Sequence, residues 1–212
     1  MKVLIIGATG KTGKKLVQQA LAKGHEVSVL VRNSKKIKID HPKLKIYQGN
    51  ILKPESFRHA FQDQDAVLSA LGHKRFIFKT RILSEGTKNI IKAMKANNIQ
   101  RFICITSLGL NNSRYKLGLY YTLFTIPVIL WFYFKDKELK ENIIKESGLE
   151  WTIVRPGQLT NGKLRTNYYH GPKAGNFILT KFISRASVAH FMLKILEDKT
   201  YIRETPGITS YR

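Results

Sequence analysis

The chain has 212 residues, 43% of them hydrophobic, with 15 glycines and 6 prolines. That is enough for one α/β domain with a real core, and it excludes a disordered, collagenous or disulfide-stapled polypeptide. Against 14 acidic residues stand 37 Lys and Arg, a net charge of +23 shared as +15 and +8 between residues 1–106 and 107–212. A basic excess spread in this way favours anionic ligands, nucleic acid or acidic membrane and says nothing about fold.

Taken in chain order, the first apolar run, Lys2–Ile6, reads as a buried strand and is too short for a signal-peptide core. Gly7-Ala8-Thr9-Gly10-Lys11-Thr12-Gly13 follows it, and a helix is predicted over about Thr12–Lys23. Glycine at these positions permits a tight turn and lets backbone N–H groups approach a pyrophosphate, with the helix N-terminus adding partial positive charge. A second strand, Glu26–Val31, completes the strand–loop–helix–strand context that a dinucleotide site requires. Its end carries no carboxylate to hold a ribose 2′-hydroxyl. Arg32, Ser34, Lys35 and Lys36 stand there instead, residue types suited to a 2′-phosphate, so NADP(H) is expected in preference to NAD(H).

Further strands are predicted at Leu44–Tyr47, Ala66–Ala70, Arg101–Ile105 and Trp151–Val154, with helices at Glu55–Phe61, Thr80–Asn97 and Lys135–Ser147. Asn97-Asn98 should end the third helix. Strands that are near-continuous apolar runs, linked by helices, imply a doubly wound parallel sheet covered on both faces. Ligands in such sheets lie beyond the carboxyl ends of the strands. That singles out Asn50 and Ile51 for the adenine end, Leu71 and Gly72 for backbone approach to the cofactor, Thr106-Ser107, and Arg155-Pro156-Gly157. Pro156 is counted with the cofactor site. Arg155 is left with two roles, orienting an anionic substrate or pairing with a carboxylate.

From Leu117 to Phe134 the chain runs 18 residues without a charge, seven of them aromatic and with Pro127 in the middle. Tyr120, Tyr121, Phe124, Trp131 and Phe132 are expected to wall a pocket for a planar substrate; a dimer or partner surface and a membrane-surface contact are the other readings. A membrane span would pull the sixth strand out of the sheet. Beyond residue 157 the pattern is less regular, with a short strand expected at Asn176–Thr180 and a helix at Arg185–Glu197. The chain reads as one domain, 1–212, whose substrate lobe combines about 110–135 with 157–185. The lone cysteine, Cys104, forbids an internal disulfide and suits a reducing, cytoplasmic setting. His25, His41, His59, His73, His170 and His190 show no ligand spacing, so no metal is expected, and no nucleic-acid motif accompanies the charge.

GATGKTG, VRNSKK, GNILKP, LSALG, ITSLG, DKELKE and SGLEWTIVRPGQLT resemble the atypical short-chain dehydrogenase/reductases, nearest to epimerase-like proteins and the biliverdin-IXβ reductase/flavin reductase group. The resemblance covers residues 1 to about 165 and SRASVAHFML. It implies a Rossmann fold, NADP(H), and reduction of a small planar or carbonyl-bearing substrate such as a flavin, quinone or tetrapyrrole. It also implies a Ser–Tyr–Lys set in which tyrosine donates a proton and lysine lowers its pKa and holds the ribose, here Ser107, Tyr133 and Lys137. Where the biliverdin reductases carry two histidines, this chain has Lys137 and Gln158. A redox-sensing regulator without turnover, and an epimerase or dehydratase, are the alternative functions; a monomer or homodimer is expected.

Overall fold

The computed structural model describes residues 1–72 and 78–211. Six strands run parallel: β1 (Lys2–Ile6), β2 (Glu26–Val31), β3 (Leu44–Gln48), β4 (Ala66–Ser69), β5 (Arg101–Ile105) and β6 (Glu150–Pro156). Four α-helices join them: α1 (Lys11–Ala22), α2 (Ile82–Ala96), α3 (Trp131–Lys145) and α4 (Arg185–Glu197). Three short strands, β7 (Gln158–Thr160), β8 (Tyr169–Gly171) and β9 (Phe182–Ser184), precede α4, and β10 (Gly207–Thr209) follows it. The main sheet has the order β3-β2-β1-β4-β5-β6-β10-β8, with only β8 antiparallel, and β7 pairs with β9 in a separate ribbon. This is a doubly wound Rossmann sheet, and its order reverses between β1 and β4.

The alternation of strand side chains explains the two layers. Val3 and Ile5 point to the face covered by Leu16, Val17 and Val188 of α1 and α4. Leu4 and Ile6 point to the face covered by Ile90, Met94 and Ile144 of α2 and α3. A third cluster, Leu108, Leu110, Leu117 and Phe134, stands beyond the carboxyl end of β5.

Local chemistry overrides the predicted pattern in three places. The helix expected at Glu55–Phe61 is instead two 3₁₀ turns, Pro54–Ser56 and Arg58–Phe61, because Ser56 Oγ turns back onto Lys53 O at 2.7 Å and accepts from Asn50 N at 2.9 Å. The strand expected at Asn176–Thr180 does not form. Asn176 Oδ1 accepts from the backbone of Ile178 and Leu179, which curls the segment and leaves a single bridge from Asn176 to Leu117. The helix expected from Lys135 begins at Trp131, directly after a π-helical stretch, Tyr121–Ile129, that carries Pro127. At Asn98 the backbone is left-handed (φ 57°), as the Asn97-Asn98 stop requires.

Candidate active site

The glycine loop is shaped by the absence of side chains at two positions. A Cβ on Gly7, whose φ is +84°, would stand 2.6 Å from Ala70 O, and one on Gly13 would stand 2.1 Å from Gly7 O. The loop is thereby pressed against the end of β4 on one side and the first turn of α1 on the other. Gly10 caps α1 with no side-chain hydrogen bond and the first turn holds no acid, so this end of the helix suits an anion. Thr9, Gly10 and Lys11 are exposed there and Thr12 is half-buried.

At the end of β2, Arg32, Lys35 and Lys36 are exposed around a 3₁₀ turn that Asn33 caps by accepting from Lys35 N at 3.0 Å. Ser34 Oγ donates to Gln48 Oε1 at 3.1 Å. Asn50 Oδ1 accepts from Leu52 N, which occupies its oxygen within its own turn. Ile51 is buried against Gly86 of α2, and its carbonyl accepts from Asn89 Nδ2. Pro156 lies inside β6, buried, with its carbonyl accepting from Leu108 N at 3.0 Å. Leu71 and Gly72 continue from Ala70, next to the glycine loop.

Tyr133 closes the crevice from α3. The position of a Cβ on Gly72 would lie 3.5 Å from the Tyr133 hydroxyl, so bare backbone faces that hydroxyl. Lys137, one turn along α3, sets its ammonium 4.4 Å from the centre of the Tyr133 ring and 3.4 Å from Thr106 O. Half-buried Ser107 follows Thr106. Residues far apart in sequence thus form one path: glycine loop, β4 end, Tyr133 hydroxyl, Lys137, β5 end. Burial first, and the nearby Asp136 carboxylate second, push the Tyr133 phenol up to about 12. Burial and the neighbouring Lys140 bring Lys137 down to about 7, with Glu141 acting against them. The expectation that Lys137 lowers the Tyr133 pKa is thereby corrected: the lysine lies over the ring, and burial with Asp136 makes the phenol a weaker acid than a free tyrosine.

A buried ionic network holds α3 to the strand ends. Glu141 accepts from Arg155 Nε at 3.0 Å and Nη2 at 2.5 Å, from Thr106 Oγ1 at 2.7 Å and from Asn111 Nδ2 at 2.7 Å. Arg155 also donates to Asn112 Oδ1. Arg155 is therefore fully engaged, which decides between its two predicted roles in favour of the carboxylate. Burial alone would raise the Glu141 carboxyl, but Arg155, Thr106 and Asn111 outweigh it and hold the pKa below the usual range. Lys140, also buried, donates to Ile105 O at 2.9 Å. Asp136 accepts from the N–H groups of Leu83 and Ser84 and from Ser84 Oγ, so α3 caps the start of α2. These supporting roles of Asp136, Lys140 and Glu141 have no local sequence signal beyond the DKELKE motif.

Of the five aromatic residues expected to wall a pocket, only Tyr121 packs onto the Leu108–Leu117 cluster; Tyr120, Phe124, Trp131 and Phe132 are exposed. Cys104 is buried and burial raises its thiol to about 11. His73 lies outside the described residues; among those described, no group of three or more His, Cys, Asp or Glu could hold a metal. No helix among them is long and apolar enough to cross a membrane.

A family model described as NAD(P)H-binding matches residues 7–199. The photosystem II assembly factor Ycf39 of Synechocystis is 34% identical over 223 aligned positions that cover 100% of the chain, which spans only 63% of that relative's length. A Rossmann-fold NAD(P)-binding family protein from Shigella flexneri superposes with a TM-score of 0.76 at 27% identity, covering 99% of this chain and 93% of that one. A short-chain dehydrogenase/reductase from Veillonella parvula, solved in complex with NADP, shares the fold with a TM-score of 0.84 at 22% identity, over 99% and 94% of the two chains.

Proposed function

The chain belongs to the NAD(P)H-binding family, and from that premise we propose that it is an NADPH-dependent reductase of a small planar or carbonyl-bearing substrate. The observation that carries the reading is the path from the glycine loop to the Tyr133 hydroxyl, with Lys137 and Ser107 alongside. The residues fit the dinucleotide. Gly7 and Gly13 let the loop lie tightly between the end of β4 and the start of α1, Gly10 leaves the α1 N-terminus uncapped by a side chain for a pyrophosphate, and Arg32, Ser34, Lys35 and Lys36 form a cationic turn without an acid for a 2′-phosphate.

When bound, the cofactor supplies a hydride. Reduction of a carbonyl also needs a proton, and the Tyr133 hydroxyl, protonated at neutral pH as any phenol is, stands over the bare Gly72 backbone to give one, with burial making it the weaker acid. In this reading half-buried Ser107, next after Thr106 at the β5 end, donates a hydrogen bond to the substrate oxygen. Lys137 near neutrality has a proton to exchange with the tyrosine side of the crevice, and Glu141 with Arg155 keeps the helix carrying both in register.

Parallel calorimetric titrations with NADPH and NADH test the cofactor, at two salt concentrations because of the high charge. NADPH should bind the more tightly, and Arg32→Ala should weaken NADPH roughly tenfold or more while leaving NADH almost unchanged. Equal affinities that Arg32→Ala lowers equally would refute the 2′-phosphate reading. Turnover is tested by NADPH oxidation with flavin, quinone and tetrapyrrole acceptors, and tight NADPH binding without oxidation of any would count against a reductase.

A further inference from the structure

The stretch Leu119–Leu130, just ahead of α3, is apolar on both of its sides, which a globular domain has no use for unless something covers the outer one. Its inner side is accounted for: Tyr121, Ile126 and Leu130 pack on Leu108, Leu110 and Leu117. Its outer side carries Tyr120, Leu123, Phe124, Val128 and Ile129, of which Phe124 is 65% and Val128 75% exposed. A second loop joins it. Gly118 N donates to Asn176 O and Leu119 N to Ile178 O, and the Tyr115 and Phe177 rings meet edge-on, which brings exposed Phe177, Ile178 and Leu179 beside the first group. Two stretches distant in sequence thus build one apolar lobe.

Charge says what covers it. Residues 110–135 and 157–185, the segments that supply the lobe, contain eight Lys and Arg and no Asp or Glu. Arg114, Lys173 and Lys135 are exposed at its margins; Lys135 lies 5.1 Å over the Trp131 ring, a cation and an indole side by side as at a headgroup boundary, and also pairs with Glu138 at 3.1 Å, an exposed pair that an anionic headgroup can compete for. A second copy of the chain would bring the same cationic face against itself, which like-charge repulsion opposes. An apolar centre within a border of net positive charge, in which Glu138 beside Lys135 is the acid, matches a surface that is anionic at the headgroups and apolar beneath them.

We propose that this lobe docks on an anionic lipid bilayer, with the outer side of Tyr121–Ile129 and the Phe177–Leu179 loop entering the interface and Arg114, Lys135 and Lys173 meeting the headgroups. The domain lies on the membrane and does not span it. The inference does not depend on the cofactor or on turnover.

Vesicle co-sedimentation tests it, with phosphatidylcholine vesicles that contain or lack phosphatidylglycerol. The full chain should sediment with the anionic vesicles only, and Trp131 fluorescence should shift to the blue while buried Trp151 stays constant. Leu123→Glu/Val128→Glu should lower the partition coefficient roughly tenfold or more, and Arg114→Gln/Lys173→Gln by a similar factor, with the unfolding midpoint unchanged. Binding that survives Leu123→Glu/Val128→Glu, or that shows no blue shift, is adsorption of a basic protein and overturns the proposal. So does failure to bind anionic vesicles at low salt, or a dimer that the same double variant dissolves.

Discussion

The crevice between β1 and β4 and the aromatic lobe beyond β5 lie at the same end of the sheet, yet the loop backbone and helix that build the first are held by other parts of the chain, while the largest side chains of the second are exposed. Gly7 and Gly13 are held by backbone contacts that leave no room for a methyl group. The helix behind the crevice, α3, is fastened by Arg155–Glu141 at one turn and at another by its Asp136, which caps the start of α2. The lobe has an inner side of the same kind, and then an outer side whose residues touch solvent. Precision is built where a ligand must be held in one geometry, and bare apolar area where a soft surface is to be met.

Substitutions should respect that division. Arg155→Met leaves the buried Glu141 carboxylate without its cation and should cost about 3–5 kcal/mol in urea unfolding. A cost below about 1 kcal/mol would mean that Thr106 and Asn111 satisfy Glu141 alone. Gly13→Ala drives a Cβ into the Gly7 carbonyl and should cost about 3 kcal/mol, with dinucleotide affinity falling well beyond that of any single change at Arg32–Lys36. Asp136→Ala uncaps α2 across the interface and should cost about 2 kcal/mol, read as a lower thermal midpoint, with Asp136→Asn recovering part of it.

Two pH effects sharpen the contrast because both titrating groups lie in the crevice region. Lys137 is lowered from 10.5 to about 7, so the unfolded chain binds more protons between those values, and its contribution makes stability rise with pH from about 7. Lys137→Met should flatten that part of the profile, measured by unfolding at successive pH values. Glu141 is depressed below 4.5, so its contribution is present above that pH and lost as pH falls through the folded value; Glu141→Gln should remove that part of the acid limb. The smallest effect belongs to the lobe. Leu123→Glu/Val128→Glu should change stability by less than about 0.5 kcal/mol, and a larger loss would show that these residues are packed after all.

Legibility in the sequence followed the same line. Strands β1, β2, β4, β5 and β6 were each readable to within about two residues because burial on both faces leaves near-continuous apolar runs, the edge strand β3 by the alternation of Leu44, Ile46 and Tyr47 with Lys45 although none of its residues is buried, and the glycine loop because its residues are consecutive. Strand β10, Gly207–Thr209, had no signal. Three residues after a proline have no period, and this strand exists only because β6 and β8 stand on either side of it. Nothing in the sequence marks the role of Arg101, which opens β5: it is buried, donates to Glu150 O, Thr152 Oγ1, Ile195 O and Thr200 O, and is lowered to about 10 by desolvation.

By itself the sequence determined the doubly wound sheet, the anion-ready turn at Gly7–Gly13 and the acid-free end of β2, all of which depend on neighbours a few residues away. Tertiary structure alone decided that Arg155 belongs to Glu141, that Asp136 caps a helix 53 residues earlier, and which side of the 117–134 run is covered. Those outcomes depend on which surfaces meet when the layers close, and a pattern of apolar and charged residues along one segment carries no record of its partner.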